Sequence, residues 1–503
     1  MAATSGTSSG ASSESNSLRQ SPSSSSLYKA SAAASASLPR NSSTHSFRAA
    51  FLAPSSRPSS TIWTPPQAQF VPSALGQDPA ASTAFLSKSR PPMTSTRLTA
   101  PLTKDDKPWL SSRQPKTYTS YFLTLFCIFL GLCGAAALCY FGYTEVNVLD
   151  PSRLCLEMDE QFTGGLNPDY WNVEIQTGGF GNGEFQMTSD SSDNLFVRNN
   201  QLYIHPTLTT EALPDVDIFN GGNRTLPGCT ADDERASCTA SSNNLLGAVI
   251  PPAISARINT KGKKSIRYGK VEIRAKLPKG DWLWPAVWML PQDNRYGAWP
   301  MSGEIDLVEA RGNDQAYKGQ GRNFVRSSLN YGPLPSLYTQ IYGWQSLKRS
   351  SFDQAFHTYT LEWTPEFIRM FVDKRLYSML EVDKLRADKT NFWARGKYPQ
   401  VATNWTADNT GNGEMVVVND IWKANDGAPN APFDQPFYLI ANLAVGGTSG
   451  WFPDGTGEKA WYDKSQTAMR DFALDQARWA RTWGGVDDRS LRLDSVKMWS
   501  LCR

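Results

Sequence analysis

The sequence predicts an all-β domain, an antiparallel sandwich or jelly roll, that follows a disordered tail and a single transmembrane helix. Three observations predict this order. Eighteen of the first fifty residues are serine, residues 117–144 form an uncharged run of 28, and fifteen of the seventeen tryptophans follow residue 158. We therefore divide the chain into a tail (1–117), a membrane span (118–143), a linker (144–157) and a folded domain (158–503).

The tail is rich in Ser, Ala, Pro and Thr and holds few large apolar side chains. Such a segment buries too little apolar surface to offset the entropy lost on ordering its backbone, so we expect disorder. Its twelve Lys and Arg outnumber four Asp and Glu, but they are spread singly, and the whole chain carries only +3. A solvated tail is therefore favoured, and no nucleic-acid partner is expected.

The run at 118–143 is long enough to cross a bilayer, which takes about 20 apolar residues. A soluble core helix would show a polar face, and a cleaved signal peptide would begin near Met1, so both alternatives are disfavoured. Lys104, Lys107, Arg113 and Lys116 precede the span. Basic flanks stay cytoplasmic, which predicts a type II signal anchor in contact with membrane lipid, with the folded domain lumenal or extracellular. Which secretory membrane, or the plasma membrane, holds it is left open.

Four cysteines follow the span, an even number that suits an oxidising compartment. Pairing Cys229 with Cys238 would close a short loop, and pairing Cys155 with Cys502 would join the two ends of the folded domain. The other two ways of pairing these four cysteines also stay open. Three further cysteines lie within the span: Cys127, Cys133 and Cys139.

Asn223 and Asn404 each begin an Asn-x-Thr sequon on the side predicted to be lumenal, so both are expected glycosylation sites. The cysteines and histidines show no metal-ligand spacing, and no cofactor is expected. A structural Ca²⁺ is compatible with a jelly roll, but the sequence has no dedicated acidic loop for it. Oligomeric state cannot be read from the sequence.

Short alternating segments predict the strands of the folded domain. Residues 270–277, 358–363 and 368–373 alternate between apolar and polar side chains, as half-buried strands do. Residues 437–445 are nearly all apolar and predict a more buried strand, whereas residues 466–481 have helical spacing. With no strand–helix alternation and many turn signals, the pattern favours an antiparallel sandwich or jelly roll.

The segment SGEIDLVEAR, residues 302–311, holds three carboxylates among apolar side chains. Side chains alternate along a strand, so Glu304 and Asp306 share a face, whereas Glu309 would point to the other. One extra residue, at Leu307 or Val308, would form a β-bulge and return Glu309 to the same face. The sequence therefore predicts three carboxylates along one ridge.

Paired carboxyl groups suit glycosidic-bond cleavage, in which one attacks the anomeric carbon and the other protonates the leaving oxygen. A solvated acidic face is the commoner reason for such a cluster. Here the intervening residues are apolar, and the upstream segment WLWPAVWML (282–290) supplies indoles on which sugar rings can stack. Asp306 would orient the nucleophile and, by charge repulsion, keep Glu309 protonated.

At this point the sequence resembles glycoside hydrolase family 16, laminarinase-like branch, over residues 157–503. The motifs that carry the resemblance are EIDLVE (304–309), YGKVEIRAKLP (268–278), WPAVW (284–288), FHTYTLEW (356–363) and NLAVGG (442–447). The tail and anchor ahead of such a domain are similar to fungal membrane proteins associated with β-glucan assembly. The stretch GGFGNGEF (178–185) also resembles animal glucan-recognition proteins.

The resemblance implies a concanavalin-like β-jelly roll with a glycan groove. It implies Glu304 as nucleophile, Glu309 as general acid/base and Asp306 as their assistant. It also implies substrate contacts, at Trp288, Trp299, Trp451 and Asn330. Related laminarinases carry His at the position of Asn330, which puts that one contact in doubt. His357 matches the family pattern, and a packed structural role is favoured for it.

The expected activity is retaining endo-hydrolysis of a β-glucan with β-1,3, mixed β-1,3/1,4 or β-1,6 linkages, in carbohydrate metabolism or cell-wall remodelling. A transglycosylase, in which a sugar hydroxyl replaces water, is the nearest alternative. A non-catalytic glucan-binding or assembly protein, and a purely structural membrane glycoprotein, are alternatives from other classes. The intact carboxylates argue against both of these.

Overall fold

The structure is a computed structural model that describes residues 98–112, 115–231, 237–403 and 413–502. The chain divides into two compact units, Met1–Ser112 and Arg113–Arg503. The described part of the first unit contains the 3₁₀ helix Pro108–Leu110. The predicted disorder of residues 1–117 falls mostly outside the described residues and stays a prediction.

The second unit begins with an apolar α-helix, Pro115–Glu145, of 31 residues, which contains an 18-residue stretch of mean hydropathy 2.4. At 1.5 Å per residue it is about 46 Å long, more than the ~30 Å apolar core of a bilayer. None of its residues is buried against protein, which argues against a soluble core helix. The helix is the one candidate membrane span among the described residues, and it extends slightly beyond the predicted 118–143 at both ends.

The remainder of the second unit is built from short strands. The first eleven are β1 (Leu154–Glu160), β2 (Asn172–Val173), β3 (Gln186–Thr188), β4 (Leu195–Arg198), β5 (Gln201–Ile204), β6 (Thr207–Leu208), β7 (Asn223–Thr225), β8 (Thr239–Ser241), β9 (Ala253–Ser255), β10 (Arg257–Asn259) and β11 (Ser265–Ile266). The next twelve are β12 (Gly269–Lys276), β13 (Leu283–Pro291), β14 (Glu304–Ala310), β15 (Phe324–Tyr331), β16 (Thr339–Ser346), β17 (His357–Trp363), β18 (Ile368–Val372), β19 (Ser378–Val382), β20 (Val401–Thr403), β21 (Met415–Val417), β22 (Phe437–Val445) and β23 (Leu491–Leu501).

Two eight-stranded antiparallel sheets form the body of this unit. The groove sheet has the order β16-β15-β14-β13-β22-β10-β2, with β11 also pairing with β22. The outer sheet has the order β19-β18-β17-β12-β23-β5-β4, with β1 also pairing with β23. One continuous cluster of buried apolar side chains contains residues from both sheets, as expected for a sandwich. The predicted all-β jelly-roll class is therefore confirmed.

The strand predictions are confirmed for the four segments chosen by pattern, which become β12, β17, β18 and β22. Burial alternates along β12, because one of its faces lies on the core and the other faces solvent. All nine residues of β22 are buried. This strand lies in the middle of the groove sheet, so the core covers one face and the groove walls cover the other.

The helix predicted at 466–481 is interrupted. Asp475 ends the helix Ala468–Leu474 and begins the short helix Gln476–Trp479, where its carboxylate binds the guanidinium of Arg478 at 2.7 Å. The indole of Trp479 donates to the carbonyl of Phe472 at 2.9 Å. The remaining α-helices are short, and they are Thr209–Ala212, Phe392–Gly396, Ile421–Ala424 and Val486–Arg489.

Two disulfides fasten the folded part. Cys155 in β1 is joined to Cys502, just beyond β23, and these strands also pair through their backbones. Cys229 is joined to Cys238 beside the small β7–β8 hairpin. These are the two pairs first considered from the sequence.

Candidate active site

The three carboxylates of β14 lie on one face of the groove sheet because the strand contains a bulge. Asp306 pairs with Ser328 and Glu309 with Arg326, so an advance of three residues on β14 matches two residues on β15. The register on the β13 side identifies Leu307 as the extra residue, and its side chain is buried in the core. The bulge predicted at Leu307 or Val308 is therefore confirmed.

Glu304 is held by a donor at each carboxylate oxygen. The indole Nε1 of Trp299 donates to Oε2 at 2.7 Å, and the amide Nδ2 of Asn330 donates to Oε1 at 3.1 Å. The pKa of Glu304 is raised above its usual value, chiefly by burial and also by the nearby charge of Glu309, although hydrogen bonds with Asp306, Trp299 and Asn330 lower it. Donors at both oxygens stabilise the ionised form and fix the direction in which it points.

Asp306 lies deeper, with 3% of its surface exposed. Its Oδ2 accepts from the hydroxyl of Ser328 at 2.5 Å and from Nδ2 of Asn330 at 2.6 Å. Burial, followed by the charge of Glu304, raises the pKa of Asp306 well above its usual range. The hydrogen bond between the two carboxyl groups raises the pKa of Asp306 and lowers that of Glu304.

Glu309 has a weaker set of hydrogen bonds. Its Oε2 accepts from the Ser328 hydroxyl at 3.3 Å. Burial, and secondly the charge of Asp306, raise the pKa of Glu309 to about 8, against the opposing positive charges of Arg326 and Arg311. A carboxyl group with this pKa keeps its proton at neutral pH and can donate it.

Asn330 connects these groups to the groove wall. Its Nδ2 donates to Glu304 and Asp306, while its Oδ1 accepts from the hydroxyl of Tyr338 at 2.7 Å and from Nε2 of Gln340 at 2.8 Å. The side chain is buried, with 3% exposed. The resemblance implied a substrate contact for Asn330, and this stays a prediction. Asn330 lines the groove, and because its polar atoms bind other side chains it also positions the carboxylates.

The carboxylates open into a groove with a volume of about 920 Å³. Trp288, Trp299 and Trp451, which were expected to contact substrate, all line it. Ligand pockets of roughly 300–1,000 Å³ enclose most of a small ligand, so this groove has room for several sugar units.

The three indoles are fixed in different ways. Trp288 donates to Oδ1 of Asn442 at 2.8 Å, and Trp451 lies parallel to Trp284 with the ring centroids 5.0 Å apart. Trp299 is 39% exposed, and its indole N–H donates a hydrogen bond to Glu304. The groove therefore offers rigid aromatic surfaces next to the carboxylates.

Several residues of the site escaped the sequence analysis. Ser328 contacts both Asp306 and Glu309, and its place two residues before Asn330 in an alternating strand is a signal that would have revealed it. Tyr338 directly follows the 3₁₀ helix Pro335–Leu337, where no periodicity predicts the direction of a side chain.

His357 lies in the outer sheet, away from the groove. Its Nδ1 is 2.9 Å from Oδ2 of Asp373, and its ring packs edge-on against Phe352 at 5.1 Å. These contacts agree with the structural role favoured for it.

Within residues 98–112, 115–231, 237–403 and 413–502, no group of three His, Cys, Asp or Glu side chains is arranged to hold a metal ion. Asn223, the first sequon, is exposed at the start of β7. Asn404, the second sequon, lies outside the described residues.

Comparisons with known proteins identify the family of the folded domain. The family model of glycosyl hydrolases family 16 matches residues 229–420, which contain all three carboxylates. A β-1,3-glucan-binding protein of Penaeus monodon is 35% identical over 390 residues, which cover 74% of this chain and 98% of that protein. A glucan endo-1,3-beta-glucosidase of Cryptopygus antarcticus is 30% identical and covers 58% of this chain and 80% of that protein.

Among solved structures, the laminarinase from Rhodothermus marinus is 25% identical, with a TM-score of 0.42, and covers 70% of this chain and 98% of its own. The relationship itself is carried by sequence, above all by the relative matched over almost its entire length. Enzymes and glucan-binding proteins both occur among these relatives. The chain belongs to glycosyl hydrolase family 16.

Proposed function

We propose that the chain is a retaining endo-β-glucan hydrolase. One observation carries the proposal: Glu304 and Glu309 share a groove face but differ in their hydrogen bonds. Glu304 has a donor at each oxygen, whereas the pKa of Glu309 is raised to about 8. Two carboxyl groups whose surroundings separate their protonation states are suited to the roles of nucleophile and acid.

In the first step, ionised Glu304 attacks the anomeric carbon of a bound sugar. Glu309 gives its proton to the glycosidic oxygen as the bond to the leaving sugar breaks. The product is a glycosyl ester on Glu304. Trp299 and Asn330, which bind the two Glu304 oxygens, keep the attacking carboxylate in position.

In the second step, Glu309, now ionised, takes a proton from water as the water oxygen attacks the anomeric carbon. The ester bond to Glu304 breaks, and that carboxylate is regenerated. Two inversions give net retention of configuration. The hydrogen bond with Asp306 lowers the pKa of Glu304 and so favours the return of the negative charge to that carboxylate.

A β-glucan is the substrate class that the groove and the relatives favour. The groove combines carboxylates with indoles, and rings with C–H faces stack on indoles. The relatives named for β-1,3-glucan support the same polymer, with β-1,3, mixed β-1,3/1,4 or β-1,6 linkages as the candidates. We further propose that the helix Pro115–Glu145 anchors the chain as a type II membrane protein, with the groove outside the cytosol.

A second candidate is a glucan-binding or assembly protein without catalysis. The specific observation in its favour is the 35% identity to a β-1,3-glucan-binding protein over 98% of that protein. A transglycosylase would use the same glycosyl ester and replace water by a sugar hydroxyl. Both candidates predict glucan binding, so products must separate them.

The test compares the full-length chain in detergent with Glu304→Gln, each incubated with laminari-oligosaccharides. We expect shorter products of retained configuration from the wild type and none from the variant. Product masses by mass spectrometry and anomeric form by NMR provide the measurement. A matched control is Glu381→Gln, which changes an acidic side chain on β19 of the outer sheet and should leave the products unchanged.

Products longer than the substrate that depend on Glu304 would show that the reaction is transglycosylation rather than hydrolysis. Binding without turnover in both proteins would refute the enzyme and leave the glucan-binding candidate. Equal turnover by wild type and Glu304→Gln would refute the assignment of the nucleophile.

A further inference from the structure

The edge strand of the groove sheet carries two large aromatic side chains that are about half exposed. Tyr342 and Trp344 on β16 are 51% and 48% exposed. Edge strands in soluble proteins are commonly blunted by charge or bulges, because exposed apolar edges invite association. Exposed aromatic side chains at this edge therefore indicate a ligand-binding surface.

Both rings point to the groove side of the sheet. Gly343, between them, faces the outer sheet, where a Cβ would lie 1.7 Å from the backbone oxygen of Met379 in β19. Since successive side chains alternate along a strand, Tyr342 and Trp344 project to the opposite face.

The strand register places the two rings in the same rows as the carboxylates. Tyr342 pairs with Ser328, which pairs with Asp306. Trp344 pairs with Arg326, which pairs with Glu309. With strands about 4.8 Å apart, each ring is about 10 Å from the β14 backbone along its row. A polymer that crosses the strands above the carboxylates would reach these rings within a few sugar units.

The pair is also held in a defined shape. The two rings are inclined by 28° with their centroids 6.1 Å apart. The guanidinium of Arg326 lies 4.1 Å from the centroid of Tyr342 and is bonded to Gln340. Arg326 and Gln340 line the enclosed part of the groove, so the rings begin where its wall ends.

We propose that Tyr342 and Trp344 form an aromatic platform that binds the sugar units of a β-glucan chain outside the enclosed groove. The proposal rests on the proposed function and extends it: the site is elongated toward β16 and favours long glucan over short oligosaccharides. Two near-parallel rings in a row with the carboxylates suit a flat, uncharged, repetitive ligand, because pyranose C–H faces stack on aromatic faces.

The experiment measures binding and turnover separately in the full-length chain in detergent. Binding uses Glu304→Gln, alone and with Tyr342→Ala and Trp344→Ala together, titrated calorimetrically with laminaritriose and laminarihexaose. Turnover of laminarin uses the same pair of alanine substitutions with Glu304 intact. The matched control is Tyr377→Ala, which removes a 43% exposed tyrosine beside the outer sheet. Circular dichroism and size-exclusion chromatography monitor folding and oligomeric state.

We expect the double alanine variant to lose about tenfold in affinity for the hexaose, ~1.4 kcal/mol, and much less for the triose. The Tyr377→Ala control should bind both ligands as its parent does. Equal hexaose affinity with and without the two rings would overturn the platform and leave the proposed function standing. A change of oligomeric state in the double variant with unchanged affinity would overturn it in favour of a protein contact at the edge strand.

Loss of hexaose affinity without laminarin turnover by the wild type would support the platform while refuting hydrolysis. Absence of glucan binding by every variant would refute both the platform and the proposed function.

Discussion

Asp306 links the two glutamates of the groove through charge as well as through hydrogen bonds. It is hydrogen-bonded to Glu304 and accepts from Ser328 and Asn330, and its charge contributes to the raised pKa of Glu309. A buried acid of this kind is costly unless its surroundings satisfy it, and here a hydroxyl and an amide do so. One residue therefore affects the protonation of both proposed reacting groups.

On the alkaline side of the pH profile, the rate of hydrolysis should fall near pH 8, where Glu309 loses its proton. In Asp306→Asn a charge that raises the pKa of Glu309 is removed, so the alkaline limb should move to lower pH. In Arg326→Met the opposing positive charge is removed, and the limb should move to higher pH. The measurement is kcat/KM for a laminari-oligosaccharide between about pH 5 and about pH 10. If kcat/KM fell at the same alkaline pH in all three proteins, the assignment of Glu309 as the acid would be contradicted.

Glu309 should also make stability depend on pH. Its pKa is raised from 4.5 to about 8 in the folded protein, so between these values the folded state binds more protons than the unfolded state. Stability then falls as pH rises through this window. At about pH 9, Glu309→Gln should have a higher Tm than the wild type, which corresponds to at most a few kcal/mol in the free energy of unfolding. At about pH 4 the two proteins should differ little. Thermal unfolding by circular dichroism checks this, and a lower Tm for the variant at the alkaline pH would count against it.

The sequence pattern predicted individual strands correctly where one physical requirement dominated. β22 is apolar except for Asn442 because it is covered on both faces. The bulge in β14 follows from the need to keep three carboxylates together while Leu307 enters the core. The helix at 466–481 was predicted without its break, since the pairing of Asp475 with Arg478 depends on local geometry that spacing does not encode. Tyr338 and the edge aromatics Tyr342 and Trp344 could not be placed, because their role depends on which strands become neighbours.

The edge strand β16 should be sensitive to a single methyl group at Gly343. A Cβ there would lie 1.7 Å from the Met379 backbone oxygen, so Gly343→Ala forces β16 and β19 apart. We expect a loss of about 1–3 kcal/mol in the free energy of unfolding, as for other overpacked sites. Gly164→Ala is the matched control, because a Cβ there has no atom within 4 Å. Urea unfolding curves of the two variants provide the measurement; equal midpoints would show that the sheets accommodate the methyl group.

The whole molecule combines an apolar helix with a disulfide-bonded β-sandwich that belongs to a glycosidase family. Composition alone predicted this succession, since tail, span and domain differ in the amount of apolar surface that each can bury. The proposed position of the domain outside the cytosol rests on the basic residues that precede the apolar helix and on the two disulfides.

Topology can be tested at Asn223, the exposed sequon in the described structure. If the folded domain enters the secretory pathway, the chain expressed in eukaryotic cells should migrate faster on a gel after endoglycosidase treatment. Asn223→Gln should remove part of that shift, or all of it if Asn404 is not modified. Protease added to intact vesicles should digest the tail and spare the domain. An unglycosylated chain whose domain is digested would reverse the proposed orientation.

The bond between Cys155 and Cys502 has a mechanical consequence. Leu154 opposite Leu501 is the first pair of the β1–β23 ladder, and the helix Pro115–Glu145 lies only a few residues before it. If the helix anchors the chain and the groove binds a polymer, as proposed, a pull between the two enters at this end, where an antiparallel ladder would unzip one pair at a time. The disulfide joins β1 and β23 at this end, so both strands would carry the force and the ladder would resist opening.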